Sequence, residues 1–70
     1  MRELLIKYRG KRSQKQMAKK YGVSQQAWSK YENGTATPAP NVMLRIEKDS
    51  KMKMEKIFFD VFQQPIVVKR

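Results

Sequence analysis

Five hydrogen-bonding side chains lie close together in residues 25–33. When this stretch is wound at about 100° per residue, an arc of roughly 140° collects polar side chains only, namely Gln25, Gln26, Ser29, Lys30 and Asn33. A Gln amide carries a donor and an acceptor in one plane, which matches adenine N6 and N7, and Lys can donate to guanine O6 and N7. The pattern predicts a helix face that hydrogen-bonds to base edges in a DNA major groove. The alternative is an inert polar surface.

The opposite arc of this predicted helix is apolar and aromatic. It carries Ala27, Trp28 and Tyr31, with Glu32 at its edge. Two large rings on one side favour burial, so we expect Trp28 to pack in the core rather than stack on a base. Methionines near the other apolar stripes are expected to fill the core as well.

Capping residues predict another short helix directly before this amide-rich helix. Ser13 and Gln16 have the spacing of a capping box, which starts a helix, and Gly22 ends it in a left-handed conformation. Ser24 is then the N-cap of the amide-rich helix, and Gly34 closes it. The sequence therefore predicts two short helices around a tight turn.

Three further helices are predicted around this pair. Residues 2–9 carry a one-sided apolar stripe, residues 35–40 are a Pro-rich loop, and Pro40 opens a helix that turns Val42, Met43 and Ile46 inward. Residues 54–62 are predicted to form a fifth helix, with one face made of Ile57, Phe58, Val61 and Phe62. We assign residues 1–62 to one domain. Residues 63–70 form an extended tail, which is either disordered in a monomer or a strand that pairs across a dimer.

Charge and composition narrow the classes of partner. The 70 residues hold 16 Lys and Arg against 6 Asp and Glu, a formal net charge of +10, which favours nucleic acid or an anionic membrane surface. The chain has no Cys and no His, so we expect no disulfide, imidazole site, metal, cofactor or enzyme activity. No apolar run approaches the ~18 residues of a membrane span, and the start lacks a signal-peptide pattern. We expect a cytoplasmic protein with no separate effector domain.

Residues 5–62 resemble the Xre or Cro/repressor-type helix-turn-helix family. The resemblance rests on Ser13-Gln14, Ala18, Gly22-Val23-Ser24, Ser29, Glu32-Asn33-Gly34, Pro38 and the apolar pattern of the last two predicted helices. It implies an all-α, compact, five-helix bundle like that of lambda repressor, which binds operator DNA as a homodimer with the third helix in the major groove. The connection at residues 10–12 is about two residues shorter than in the family. Lys51 and Lys53 replace the usual Gly and capping Ser between the last two helices.

The resemblance also implies roles for individual residues. Gln25, Gln26 and Lys30 correspond to base-contacting positions, which Ser29 often joins. Gln14 and Asn33 correspond to phosphate-anchoring positions, and Thr35 completes the predicted DNA-binding set. A helix N-terminus supports that role for Gln14, since its N–H groups and dipole favour a phosphate. Arg9 and Glu32 match a pair that ties the first helix to the end of the third.

These observations lead to one leading hypothesis and two alternatives. The leading hypothesis is a sequence-specific transcriptional regulator of double-stranded DNA, a small Cro-like repressor from a bacterium, phage or mobile element, which binds a near-palindromic operator. The second is an antitoxin-like or antirepressor-like module that docks a protein partner through the apolar stretch at residues 58–68. The third, supported by charge alone, is a nonspecific nucleic-acid binder.

Overall fold

The computed structural model describes residues 1–62 and contains helices but no strands within that range. Six helices follow one another, α1 (Glu3–Arg9), α2 (Gln14–Tyr21), α3 (Gln25–Asn33), α4 (Pro40–Ser50), α5 (Met54–Ile57) and α6 (Phe59–Phe62). The predicted all-α class is confirmed. In residues 1–62, every helix is too short or too polar to cross a lipid bilayer. The tail predicted at residues 63–70 lies outside the described residues.

One hydrophobic core joins the helices, and Trp28 lies in it with none of its surface exposed. Its ring stacks on Tyr21, with centroids 5.5 Å apart and planes 9° apart, and meets the edge of Tyr31 at 6.1 Å. The buried apolar side chains come from five of the six helices and the residue that joins α5 to α6, and they are Leu5, Met17, Ala18, Tyr21, Trp28, Tyr31, Val42, Met43, Ile46, Ile57 and Phe58. The prediction that Trp28 is a core residue is confirmed.

The local signals for α2 and α3 act as the sequence indicates. Ser13 Oγ accepts the Gln16 N–H at 3.0 Å, and the Ser13 N–H donates to Gln16 Oε1 at 2.8 Å, which completes the capping box. Ser24 Oγ accepts the Ala27 N–H at 3.0 Å. Gly22 adopts φ 69°, a left-handed conformation that costs glycine little, and it ends α2 as predicted.

The short connection between α1 and α2 is closed by Arg12. Its Nη2 donates to the Tyr8 carbonyl at 2.6 Å and its Nε to the Arg9 carbonyl at 3.2 Å, while its guanidinium lies 5.0 Å from the Tyr8 ring centroid. A cation at these carbonyls satisfies groups that the end of α1 leaves without helical partners. The helix α2 begins at Gln14, directly after the capping residue Ser13 that the sequence predicts.

The junction between α4 and α5 is built without the family's usual Gly and Ser. Lys51 takes the left-handed conformation itself, with φ 60°. Glu47 Oε2 accepts the Met54 N–H at 2.9 Å, at the start of α5. A carboxylate from α4 thus supplies the acceptor that a capping Ser would give.

The prediction of one continuous fifth helix over residues 54–62 is wrong, because the helix breaks at Phe58. That residue has φ −109° and ψ 47°, so α5 and α6 are separate single turns. Ile57 and Phe58 are fully buried, whereas Phe62, predicted to share their helix face, is 41% exposed. The break puts the Phe58 ring in the core and brings Asp60 to Arg2, a contact between residues 58 positions apart in sequence.

Candidate nucleic-acid interface

The first turns of α2 and α3 meet at an open depression of about 370 Å³. It is lined by Gln14 from α2 and by Gln25, Gln26 and Ser29 from α3. Gln25 and Gln26 are exposed, while Gln14 and Ser29 are half-buried. The structure therefore brings four of the seven predicted site residues to one concave surface, whose lining offers amide and hydroxyl groups.

The other three predicted site residues lie further along the chain. Lys30 and Asn33 are exposed on α3, and Thr35 is exposed in the loop after it. They do not line the depression. The Thr35 N–H donates to the Lys30 carbonyl at 3.0 Å, which holds the loop against the end of the helix. The predicted set is thus divided between the depression and a second group formed by the later part of α3 and the loop after it.

The carboxylate of Glu32 organises the side of α3 that faces the bundle. It accepts hydrogen bonds from Arg9 Nε at 2.6 Å, Trp28 Nε1 at 2.7 Å and Gln14 Nε2 at 2.9 Å, and Glu32 is only 2% exposed. The predicted tie between Arg9 and Glu32 is present. Glu32 therefore holds α1, α2 and α3 together around one buried charge.

The bond from Gln14 to Glu32 also fixes the direction of the Gln14 amide. A carboxylate can only accept, so the nitrogen of that amide must point to Glu32. The amide keeps a second N–H and a carbonyl oxygen, and Gln14 lines the depression. A donor held in place before binding loses less conformational freedom when it meets a ligand.

Several effects set the pKa of Glu32. Burial acts to raise it, but the hydrogen bonds from Arg9, Gln14 and Trp28, together with the Arg9 charge, outweigh burial and hold the pKa below the ordinary 4.5. The ionised form is thus favoured in the folded state. In α6, hydrogen bonds from Arg2 lower the pKa of Asp60 in the same direction.

We predict that acid destabilises the fold through Glu32. A carboxyl whose pKa is lowered by folding contributes stability above its unfolded pKa, and that contribution is lost as the pH falls through the folded pKa. The free energy of unfolding is measured in urea from about pH 7 to about pH 3. It should decrease once the pH is lower than about 4.5, and for Glu32→Gln this decrease should be less steep. The control Glu55→Gln removes an exposed carboxylate from α5. Parallel curves for wild type and Glu32→Gln would contradict the prediction.

Sequence reasoning missed the environment of Arg2, predicted to lie within the first helix. It precedes α1 and is buried, with 1% of its surface exposed. Its guanidinium donates to the carbonyls of Tyr31 and Ala36 and to the carboxylate of Asp60. Helical periodicity reports only local neighbours, so no pattern in the sequence indicates these partners.

The family model described as Helix-turn-helix matches residues 1–49. The chain belongs to the Xre/Cro-type helix-turn-helix family. The matched residues of this helix-turn-helix protein include the depression and all seven predicted site residues, whereas α5 and α6 lie beyond them. No curated protein and no solved structure matches the chain significantly.

Proposed function

We propose that this helix-turn-helix protein is a sequence-specific transcriptional regulator that binds double-stranded DNA as a dimer. The observation that carries the proposal is the depression lined by Gln14, Gln25, Gln26 and Ser29. A typical exposed helix face is rich in Glu and Lys, whereas side-chain amides are the groups that match adenine in the major groove. The role is that of a small Cro-like repressor, which occludes a promoter by occupying a near-palindromic operator.

Each part of the surface has a separate task in this proposal. Gln25 and Gln26, exposed in the first turn of α3, contact base edges, as recognition helices do with their N-terminal residues. Gln14, oriented by Glu32 at the beginning of α2, donates to a phosphate, together with the N–H groups of that helix end. Lys30 adds a positive charge on α3. Base contacts give specificity, and phosphate contacts give position.

We predict that Gln26→Ala and Gln14→Ala change DNA binding in different ways. Gln26→Ala should reduce discrimination at one or two operator positions by about 1–3 kcal/mol, since a bidentate base contact is lost. Gln14→Ala should weaken all duplexes by a similar factor, because a phosphate carries no sequence information. Fluorescence anisotropy with a panel of single-site operator variants distinguishes these results.

The control for both substitutions is Asn41→Ala, which removes an exposed amide from the first turn of α4. It should leave both affinity and discrimination unchanged. If Gln26→Ala binds the operator variants with the same relative affinities as wild type, the proposal that Gln26 contacts a base is wrong.

The dimer is proposed to form through an apolar face made by Met1, Leu4 and Phe59. Met1 is 73% exposed and Phe59 46%. A second depression lies on this face, and Glu3 and Lys56 line it together with Met1, Leu4 and Phe59. Because one patch carries both charges, a two-fold axis can pair Glu3 of one copy with Lys56 of the other. A second copy of this chain is therefore its proposed occupant.

We predict that Phe59→Glu converts the dimer to a monomer. Replacing an apolar contact by a hydrated charge opposes association, because the charge must lose its water when the face is buried. The loss of the dimer also removes simultaneous contact with two half-sites about 34–36 Å apart. Sedimentation equilibrium measures the mass, with Leu44→Glu as the control at an exposed Leu of α4. A wild-type protein that remains monomeric at high concentration would overturn the dimer and favour the antitoxin-like alternative, in which a different protein occupies this face.

A further inference from the structure

The end of α3 is closed by a residue from the beginning of the chain. The Arg2 N–H donates to the Glu32 carbonyl at 2.8 Å, and Arg2 Nη1 donates to the Tyr31 carbonyl at 2.9 Å. Carbonyls in the last turn of a helix lack helical partners and lie at the negative end of the helix dipole. Arg2 thus supplies two donors and a positive charge to the end of the amide-rich helix.

The same side chain holds the loop between α3 and α4. Arg2 Nη1 also donates to the Ala36 carbonyl at 2.6 Å, and Nη2 donates to Thr37 Oγ1 at 3.2 Å. These two acceptors belong to the residues immediately after Thr35. One buried guanidinium therefore binds the backbone on both sides of residues 32–35, at the Tyr31 and Ala36 carbonyls, and the Thr37 hydroxyl beyond them.

Asp60 fixes the guanidinium from the opposite side. Its two carboxylate oxygens accept from Arg2 Nε and Nη2, each at 2.9 Å, in the bidentate arrangement that favours Arg over Lys. The Phe58 ring centroid lies 5.1 Å from the guanidinium carbon. A Cβ placed on Gly34 would be 3.8 Å from Asp60 Oδ2, so α6 lies close to the point where α3 ends.

We propose that Arg2 is a positioning residue of the DNA-binding surface. It acts through the loop, by fixing the backbone on both sides of residues 33–35. It thereby presents to a phosphate of the DNA backbone the Asn33 side chain and the Thr35 hydroxyl, which turns away from its long 3.5 Å contact with the Lys30 carbonyl. Arg2 does not touch the DNA itself, because it is 1% exposed. The proposal rests on the proposed function. It gives a task in DNA binding to residues 2 and 60, which lie outside α2 and α3.

A double-mutant cycle on DNA affinity tests the proposal. One arm is Arg2→Met, which keeps an unbranched side chain without the guanidinium, and the other is the pair Asn33→Ala and Thr35→Ala. Each arm should weaken binding about tenfold, the size of one or two lost hydrogen bonds. Because Arg2 acts through Asn33 and Thr35, the combined variant should lose about tenfold rather than about a hundredfold. The ratio of operator to shuffled affinity should stay constant, since phosphate contacts are not sequence-specific.

A purely structural role gives a different result. All variants are compared at a temperature where circular dichroism shows each to be folded. If Arg2 only stabilises the fold, Arg2→Met then leaves the DNA affinity unchanged, or its loss of affinity multiplies with that of the Asn33 and Thr35 substitutions. The control Arg45→Met removes another guanidinium that donates to a backbone carbonyl, that of Lys20 at 3.0 Å, and its effect should multiply with the loss of Asn33 and Thr35.

A second variant keeps the test available if Arg2→Met does not fold. Asp60→Asn removes the carboxylate and leaves the bonds from Arg2 to the backbone, so it should weaken binding by about threefold, again without a further loss once Asn33 and Thr35 are replaced. Losses that multiply, or no loss of affinity, would overturn the role of Arg2 and leave the proposed function untouched. A wild-type protein that binds no duplex would overturn the proposed function and this inference with it.

Discussion

Replacing Trp28 by alanine should lower the free energy of unfolding by about 3–5 kcal/mol. The ring is fully buried, stacks on Tyr21 and meets the edge of Tyr31, so its removal leaves a cavity between α2 and α3. It also leaves Glu32 without the N–H of the indole. A domain of this size has a total stability of about 3–10 kcal/mol, so most of it would be lost.

Urea unfolding followed by circular dichroism measures the effect of this substitution. Trp28→Phe serves as the second variant, because it keeps an aromatic ring and loses only part of the volume and the indole N–H. It should cost less than Trp28→Ala. If Trp28→Ala unfolds at the same urea concentration as wild type, the packing between α2 and α3 does not depend on Trp28, and the described core is wrong.

The second large effect is expected at Glu32. Glu32→Ala should destabilise the fold by about 3–5 kcal/mol, because it leaves the cationic Arg9 without its partner in a largely buried site. Glu32 is 2% exposed and accepts from α1, α2 and α3, so the three helices lose their shared acceptor together. Urea unfolding at neutral pH gives the change, and Glu55→Ala is the exposed control, expected to stay within about 0.5 kcal/mol of wild type.

A double-mutant cycle separates the ion pair from general damage. Replacing Arg9 and Glu32 together by Met removes both charges, so no unpaired charge remains in the site. The double variant should therefore be more stable, by about 1–3 kcal/mol, than the sum of the losses measured for Arg9→Met and Glu32→Met alone predicts. Additive losses would contradict the account of Glu32 as a buried partner of Arg9.

The sequence predicts those parts of the fold that local chemistry decides. Ser13 with Gln16, Ser24 and Gly22 act on residues within one turn, so their spacing alone placed α2 and α3 correctly. The period of a helix also put Trp28 on the buried side of α3. These signals depend on neighbours in sequence, which is the information a single chain provides.

The features that escaped prediction depend on partners distant in sequence. Arg2 and Asp60 are 58 positions apart, and each alone has the appearance of an ordinary surface charge. The break at Phe58 interrupts a segment whose pattern favours one continuous helix. The bond from Gln14 to Glu32 shows the same limit. The sequence assigns Gln14 to a phosphate and Glu32 to Arg9, and only the packing of α2 on α3 joins the two side chains.

Selective binding to one DNA sequence is the central claim, and a single comparison tests it most directly. A duplex enriched by this protein from a random pool is compared with a shuffled duplex of the same composition, by fluorescence anisotropy at about 150 mM salt, where attraction by charge alone is weakened. We expect the enriched duplex to bind at least about a thousandfold more tightly. Equal binding to both duplexes would contradict the claim that Gln25 and Gln26 read base sequence.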